Sequence, residues 1–306
     1  MAKAGAWVVK SLSNISRILK WKEFIVASLI MSFASTLAEL LVGINAGIKK
    51  VPQLSVGNVI GSNVLVLTLV IGIGAILAGK LKFKTEIIKR SSVFAIGYLF
   101  LPVVFLLDGY LSRIDGILLV LAMVFYFYEL CVNQSRYSKI YNHYHHKTSS
   151  KKITSFIKYF FILIGGVAIL LIGSQGVVFS AMHIASVSAI SLFAIGIIGI
   201  AIGTSLPEIV FAVESTRLGY KEMILGDALG AVVVNSGLVL GVTAIICPFI
   251  LTGISQYIVG IIFSILAAGL FFVFSRTKDE INKKEAIILI GIYALFLIVQ
   301  IFQEVL

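Results

Sequence analysis

Glu39 and Glu208 are acidic residues set well inside long apolar runs. A carboxylate placed in lipid surroundings costs several kcal/mol unless it faces a partner or a pore. Neither run holds a nearby Lys or Arg to pair with it. A cation taken from solution removes that penalty; a protonated, hydrogen-bonded structural glutamate is the competing explanation. The residues before each acid favour the cation. Ser35-Thr36 and Thr204-Ser205 offer hydroxyl oxygens one turn away, on the acid's side of a helix. Hard cations such as Ca²⁺ and Na⁺ take oxygen ligands. Pro207 lacks an N–H and so frees a carbonyl, a further oxygen at a helix break. Glu39 and Glu208 are the expected metal ligands.

A second polar set follows each acid: Gly57-Asn58-Val59-Ile60-Gly61-Ser62-Asn63, and Gly226-Asp227-Ala228-Leu229-Gly230 with Asn235 beyond. Gly57, Gly61, Gly226 and Gly230 are expected, with Pro207, to interrupt helices; glycines four apart also let helices approach closely. The expected ion-binding set is Glu39, Glu208, Ser35, Thr36, Thr204, Ser205, Ser62, Asn235 and Asp227. Asn235 can bind a cation or anchor the opposite glutamate.

These constellations are two copies of one segment. Residues 28–61 align without gaps to residues 197–230 at a constant offset of 169. Glu39 falls on Glu208, Leu37 on Leu206, Gly57 on Gly226, Gly61 on Gly230 and Asn58 on Asp227. Agreement of the rare characters marks an internal repeat.

The elements that must position these residues are membrane spans. The chain is 59% hydrophobic and only 13% charged, too little charge to cover a water-exposed surface. Its mean hydropathy is +1.07. Apolar stretches predict nine spans, at Glu23–Gly47, Val51–Ala78, Ile87–Leu107, Arg113–Val132, Ile157–Ala181, Ile184–Thr216, Glu222–Ile250, Tyr257–Phe274 and Glu285–Phe302. Residues 4–19 are short and polar for a span, which predicts an interfacial helix or a shortened first span. No cleavable leader is expected there. The fold class is an all-α polytopic membrane protein of two inverted repeats, about five helices each. Residues 1–132 form the first half, with its ion-binding repeat at 28–78. Residues 133–156 form a basic cytoplasmic loop, and 157–306 the second half, with its ion-binding repeat at 191–247. An odd number of spans per half makes the copies enter the membrane from opposite sides, and such repeats place a site where they meet.

The net charge of +11 reflects orientation rather than nucleic-acid binding. With the central loop inside, twenty of the 25 Lys and Arg fall on the cytoplasmic side of a multi-pass cell-membrane protein. His143, His145 and His146 in that loop read as part of an exposed basic segment beside an anionic leaflet rather than as a metal site. Cys131 and Cys247 make no metal or disulfide pattern.

Gly203-Thr204-Ser205-Leu206-Pro207-Glu208 with Gly226-Asp227-Ala228-Leu229-Gly230, paired with the first copy, resembles the two α-repeats of the cation/Ca²⁺ exchanger superfamily. The resemblance implies ten helices in two inverted halves and central repeat glutamates. It implies assisting hydroxyls, carbonyls and an amide or acid on the third and eighth helices, with sliding of the first and sixth. This chain departs from the pattern at Ala34 and Ala38, at Val66 where an Asn is usual, at Asn235 where an Asp is usual, and at Ala231 in place of a serine. The resemblance therefore implies a secondary antiporter exchanging Ca²⁺ for Na⁺ or H⁺ by alternating access. A divergent non-exchanging or regulatory member, or a carrier of another cation, is the alternative. The expected partners are the lipid bilayer and small cations; no cofactor is expected. No zinc-protease or serine-hydrolase motif is present, and an enzyme is not expected.

The charge bias is testable by labelling. In a background with both cysteines replaced by serine, a membrane-impermeant maleimide on intact cells should label Arg113→Cys. It should reach Lys283→Cys only after permeabilisation. The opposite pattern inverts the orientation.

Overall fold

The computed structural model describes residues 3, 4, 7, 11, 26–83, 86–137, 152–188, 190–217, 219–250, 254–277 and 279–305. Eight helical stretches are long and apolar enough to cross a membrane, and the bent pair Leu29–Ser35 and Leu37–Ile48 makes a ninth. The predicted span boundaries agree to within a few residues except at one place. The helix Lys152–Val187 runs unbroken through His183, where a boundary was expected between Ala181 and Ile184. No Gly or Pro interrupts residues 177–187, so nothing there stops the helix. At the central segment, helix runs to Tyr137 on one side and resumes at Lys152 on the other. The three histidines lie outside the described residues. So does most of the expected short first helix; of it, residues 3, 4, 7 and 11 are helical, and Ala4 is buried with Met31, Ala34 and Leu170.

In chain order the first half has a π-helical turn Val26–Met31, α1 (Ser32–Ser35), α2 (Leu37–Ile48) and α3 (Pro52–Leu65). A π-helical turn Val66–Val70, α4 (Ile71–Ala78), β1 (Lys80–Lys82), α5 (Glu86–Phe105), β2 (Tyr110–Leu111) and α6 (Arg113–Tyr137) complete it. The second half opens with α7 (Lys152–Val187) and α8 (Leu192–Ala194), then a π-helical turn Ile195–Ile200, α9 (Ala201–Thr204), α10 (Leu206–Arg217) and α11 (Lys221–Val234). It closes with a π-helical turn Asn235–Val239, α12 (Leu240–Ile246), β3 (Phe249–Ile250), α13 (Ile254–Arg276), β4 (Glu280–Asn282) and α14 (Lys283–Val305).

The offset of 169 reappears in three dimensions. Both π turns of the first half, and both ends of α1, α2 and α3, land on their counterparts in the second half under that single shift. The copies are inverted. Lys221 at the start of α11 donates to the carbonyl of Ala78 at the end of α4. At the other face Gly47, near the end of α2, packs against Ile246 at the end of α12. The two π-turn-bearing helices α3–α4 and α11–α12 form the centre and are 78% buried, against 22–39% for the outer spans that face lipid. Two short antiparallel ribbons close the ends, β1 with β4 and β2 with β3, each joining opposite halves.

Gly57, Gly61, Gly226 and Gly230 do not break helices. They sit inside the continuous α3 and α11, whose backbone hydrogen bonding tolerates glycine. The reason for glycine at 57 and 61 is contact. A Cβ on Gly57 would run into the carbonyl oxygen of Phe193, and one on Gly61 into that of Ile197, so α3 lies backbone to backbone against the π turn 195–200. Gly57→Ala should therefore destabilise the detergent-solubilised protein by about 1–3 kcal/mol, the usual range for overpacking. Gly97→Ala, where a Cβ meets nothing within 4 Å, should leave the thermal midpoint unchanged. Equal midpoints for both variants would show that the close approach carries no packing constraint.

Candidate cation site

Both copies break at the hydroxyl pair. Thr36 links α1 to α2 with φ −80° and ψ 5°, and Ser205 links α9 to α10 with φ −86° and ψ 8°. These near-identical bridge conformations interrupt the helix at the same repeat position. The first copy, with Ala38 in place of proline, bends by 51°, while 192–217 counts as one span despite Pro207. The break therefore does not require proline.

Glu39 and Glu208 begin the helices after these breaks, and each is 0% exposed. The hydroxyls meet the acids of the opposite copy rather than their own, which corrects the one-turn expectation. Ser205 Oγ donates to Glu39 Oε1 at 3.3 Å and shares a 3.0 Å hydrogen bond with Ser62 Oγ. Thr204 Oγ1 lies 3.1 Å from Asn58 Oδ1 and 2.9 Å from the Ile200 carbonyl of its own helix, which compete for its one proton. In the mirrored position Ser35 Oγ donates to Asp227 Oδ1 at 3.4 Å, beside Glu208. The crossing follows from the bend: side chains at the tip of one broken helix project beyond its own axis into the partner copy. Thr36 is buried too, but its hydroxyl bonds back to Ser32 O at 2.6 Å.

Three of the four carboxylate oxygens of the glutamate pair, Glu39 Oε2 and both oxygens of Glu208, have no hydrogen-bond partner among the described residues. Asn235, at the start of its π turn and 0% exposed, has neither side-chain atom satisfied. It makes no hydrogen bond to Glu39, so the anchoring role expected for it is not seen. Val66 is its counterpart in the first copy and is equally buried. Pro207 leaves the carbonyl of Gly203 without its i+4 donor. Among the described residues, no salt bridge reaches Glu39, Glu208 or Asp227, and no group of three or more His, Cys, Asp or Glu is arranged to hold a metal ion. What converges is a few acids among neutral oxygens, a donor set suited to hard cations and unsuited to zinc.

Ser32 was passed over in the sequence. Its Oγ donates to the Asp227 carbonyl at 3.2 Å, and its position seven residues before Glu39 is the helical-face signal that could have found it. Ser55 and Thr243 hydrogen-bond at 2.9 Å between α3 and α12, a pairing that only the fold brings together. A cavity of about 310 Å³ lies elsewhere, between α5 and α6, lined by Glu86, Arg90, Tyr98 and Tyr126, and it contains none of these residues.

Inverted broken helices closing on buried acids define a membrane transporter of the secondary type. Comparison with known proteins agrees. The family described as "Sodium/calcium exchanger protein" matches residues 1–132 and 158–302. The sodium/calcium exchanger MaX1 of Methanosarcina acetivorans is 25% identical over 98% of this chain and 95% of its own. The putative antiporter CaxA of Alkalimonas amylolytica is 32% identical over 78% and 75%. A solved structure of the sodium-calcium exchanger NCX_Mj, soaked with 10 mM Na⁺ and 10 mM Sr²⁺, superposes with a TM-score of 0.70 at 20% identity, covering 95% of this chain and 92% of that one. The chain belongs to the sodium/calcium exchanger family, a family of transporters and not of enzymes.

A buried amide with no partner carries a desolvation cost that leucine, of the same branched shape though larger, does not. Asn235→Leu should leave the solubilised protein as stable as the parent, or more stable by up to about 1–3 kcal/mol. A lower thermal midpoint would reveal a structural hydrogen bond at this position.

Proposed function

We propose that this protein is a secondary antiporter that exchanges Ca²⁺ for Na⁺ or H⁺. Glu39 and Glu208 bind the divalent ion and the counter-cation in turn. The observation that carries the reading is the pair of repeat-equivalent, fully buried carboxylates that, among the described residues, leave three oxygens unpartnered and pair with no basic side chain. Two carboxylates balance one Ca²⁺. Ser35, Thr36, Thr204, Ser205, Ser62 and Asn235 supply neutral oxygens around it, as a flexible six- to eight-oxygen shell requires. The Gly203 carbonyl adds another. Leaving the site charged and bare during crossing is penalised by desolvation, so one cation has to replace the other, which couples the two fluxes. Both glutamates are shut off from solvent, as suits an occluded intermediate between inward- and outward-facing states. The face bearing Lys80, Lys82, Arg276 and Lys283 is assigned to the cytoplasm of a cell-membrane protein by its positive charge.

Val66 and Ala231, apolar where the family offers oxygens, favour a second reading: a member that keeps the fold but does not exchange. One experiment separates the two. Purified protein in proteoliposomes should take up ⁴⁵Ca²⁺ under an imposed Na⁺ or pH gradient. Glu39→Gln and Glu208→Gln should each lower that uptake about 100-fold or more, since each leaves the opposite charge uncompensated. Uptake by both variants at the parent rate would rule out the assigned site. A parent that folds yet moves no Ca²⁺ under either gradient would favour the non-exchanging reading.

A further inference from the structure

The cleft between α5 and α6 takes no part in the cation site. Its volume of about 310 Å³ falls within the roughly 300–1,000 Å³ of small-molecule pockets. Its floor and its mouth differ in chemistry. The floor is aromatic: Tyr98 and Tyr126 are buried and meet edge to face, ring centroids 6.4 Å apart. Tyr98 Oη donates to the Leu119 carbonyl at 2.9 Å, which fixes the floor to α6. Phe94 and Phe125, one from each helix, also line the cleft, and both are exposed on the outer surface of the bundle. The cleft therefore opens sideways, toward acyl chains.

The mouth is charged. An Arg90 Nη reaches Glu129 Oε2 at 3.2 Å across the two helices. The same guanidinium lies over the Phe94 ring, 5.4 Å from its centroid. Glu86 stands one turn before Arg90, about 6 Å along the helix axis. Lys89, the next base, is held by Asp279 at 2.7 Å and stands 3.8 Å from Glu86. Among the residues that line the cleft, two acids face a single base.

We propose that this cleft seats one amine-bearing zwitterionic phospholipid of the adjoining leaflet, its phosphate on Arg90 and its ammonium between Glu129 and Glu86. A guanidinium fork matches a pair of phosphate oxygens. The ammonium gains a carboxylate on either side and an aromatic face beneath it. A phosphate and an ammonium joined by two carbons have a reach comparable to the Glu86–Arg90 step. The acyl chains then run along the exposed rings of Phe94 and Phe125. A headgroup with the phosphate but no amine meets the same arginine and leaves both acids facing a like charge. None of these residues belongs to the cation site, so the proposal stands apart from the antiport reading.

The test uses the full chain, purified in detergent and stripped of lipid. Phosphatidylethanolamine or phosphatidylglycerol with identical acyl chains is added back. Native mass spectrometry counts the lipids retained, and thermal unfolding reads the midpoint. One phosphatidylethanolamine per chain should survive washing and raise the midpoint, and phosphatidylglycerol should be held about tenfold more weakly. Arg90→Gln and Glu129→Gln should each weaken phosphatidylethanolamine retention about tenfold or more, the worth of one charge-assisted hydrogen bond. If either variant fails to fold, Glu86→Gln, altered at an exposed side chain, replaces it and should narrow the preference for the amine. Equal retention of the two lipids by the parent overturns the proposal, as does parent-like retention by the folded variants. A midpoint raised as far by soluble phosphoethanolamine would assign the cleft to a soluble ligand and overturn it too.

Discussion

Uncompensated negative charge inside an apolar bundle is the constraint on which the rest of this molecule depends. Glu39, Glu208 and Asp227 are enclosed with no basic partner among the described residues. In a soluble protein such groups would reach water or acquire an arginine; here lipid surrounds the outer helices, and the acids are held at the centre. Hydroxyls soften the burial without neutralising it, because Ser205 and Ser35 have one proton each and three carboxylate oxygens stay without a partner among the described residues. A structure that retains this cost has set aside stability for ion handling, as native sites commonly do.

The architecture serves that constraint through inversion. Each broken helix presents its hydroxyls to the acid of the other copy, so neither half can complete a site alone. The approach this demands is close enough that α3 meets the turn at 195–200 through glycine and carbonyl rather than through side chains. Widened π turns recur at four related places, two before the breaks and two within the central helices. Such turns loosen local hydrogen bonding and are common where a helix carries function.

Much of this was legible in the residues. The offset of 169 was visible because Glu39 and Glu208, their hydroxyl pairs and the glycines after them are rare characters in apolar runs, and the same offset orders the elements in space. Span positions followed from hydropathy, since lipid imposes length. The details that escaped are those fixed by tertiary contact. Nothing local says that Ser205 serves Glu39 rather than Glu208. The kink at Thr36 has no proline to announce it, and the glycines suggested interruption where they in fact permit contact. The helix continuing through His183 escaped because a short polar patch looks like a boundary when only composition is weighed. The residues expected to bind ions are brought together around the two acids, except that Thr36 turns its proton back to Ser32 and Asn235 lies unbonded.

The two small ribbons deserve a mechanical interpretation. β1 with β4 clasps one face and β2 with β3 the other, and together they tie the first-half segment from α4 through α6 to the second-half segment from α12 through α14. A scaffold stapled at both ends cannot hinge apart like a clamshell. Any path to the carboxylates has to open with this frame in place, and the long, lipid-facing helix Lys152–Val187 is among the spans that no strand holds at either end among the described residues.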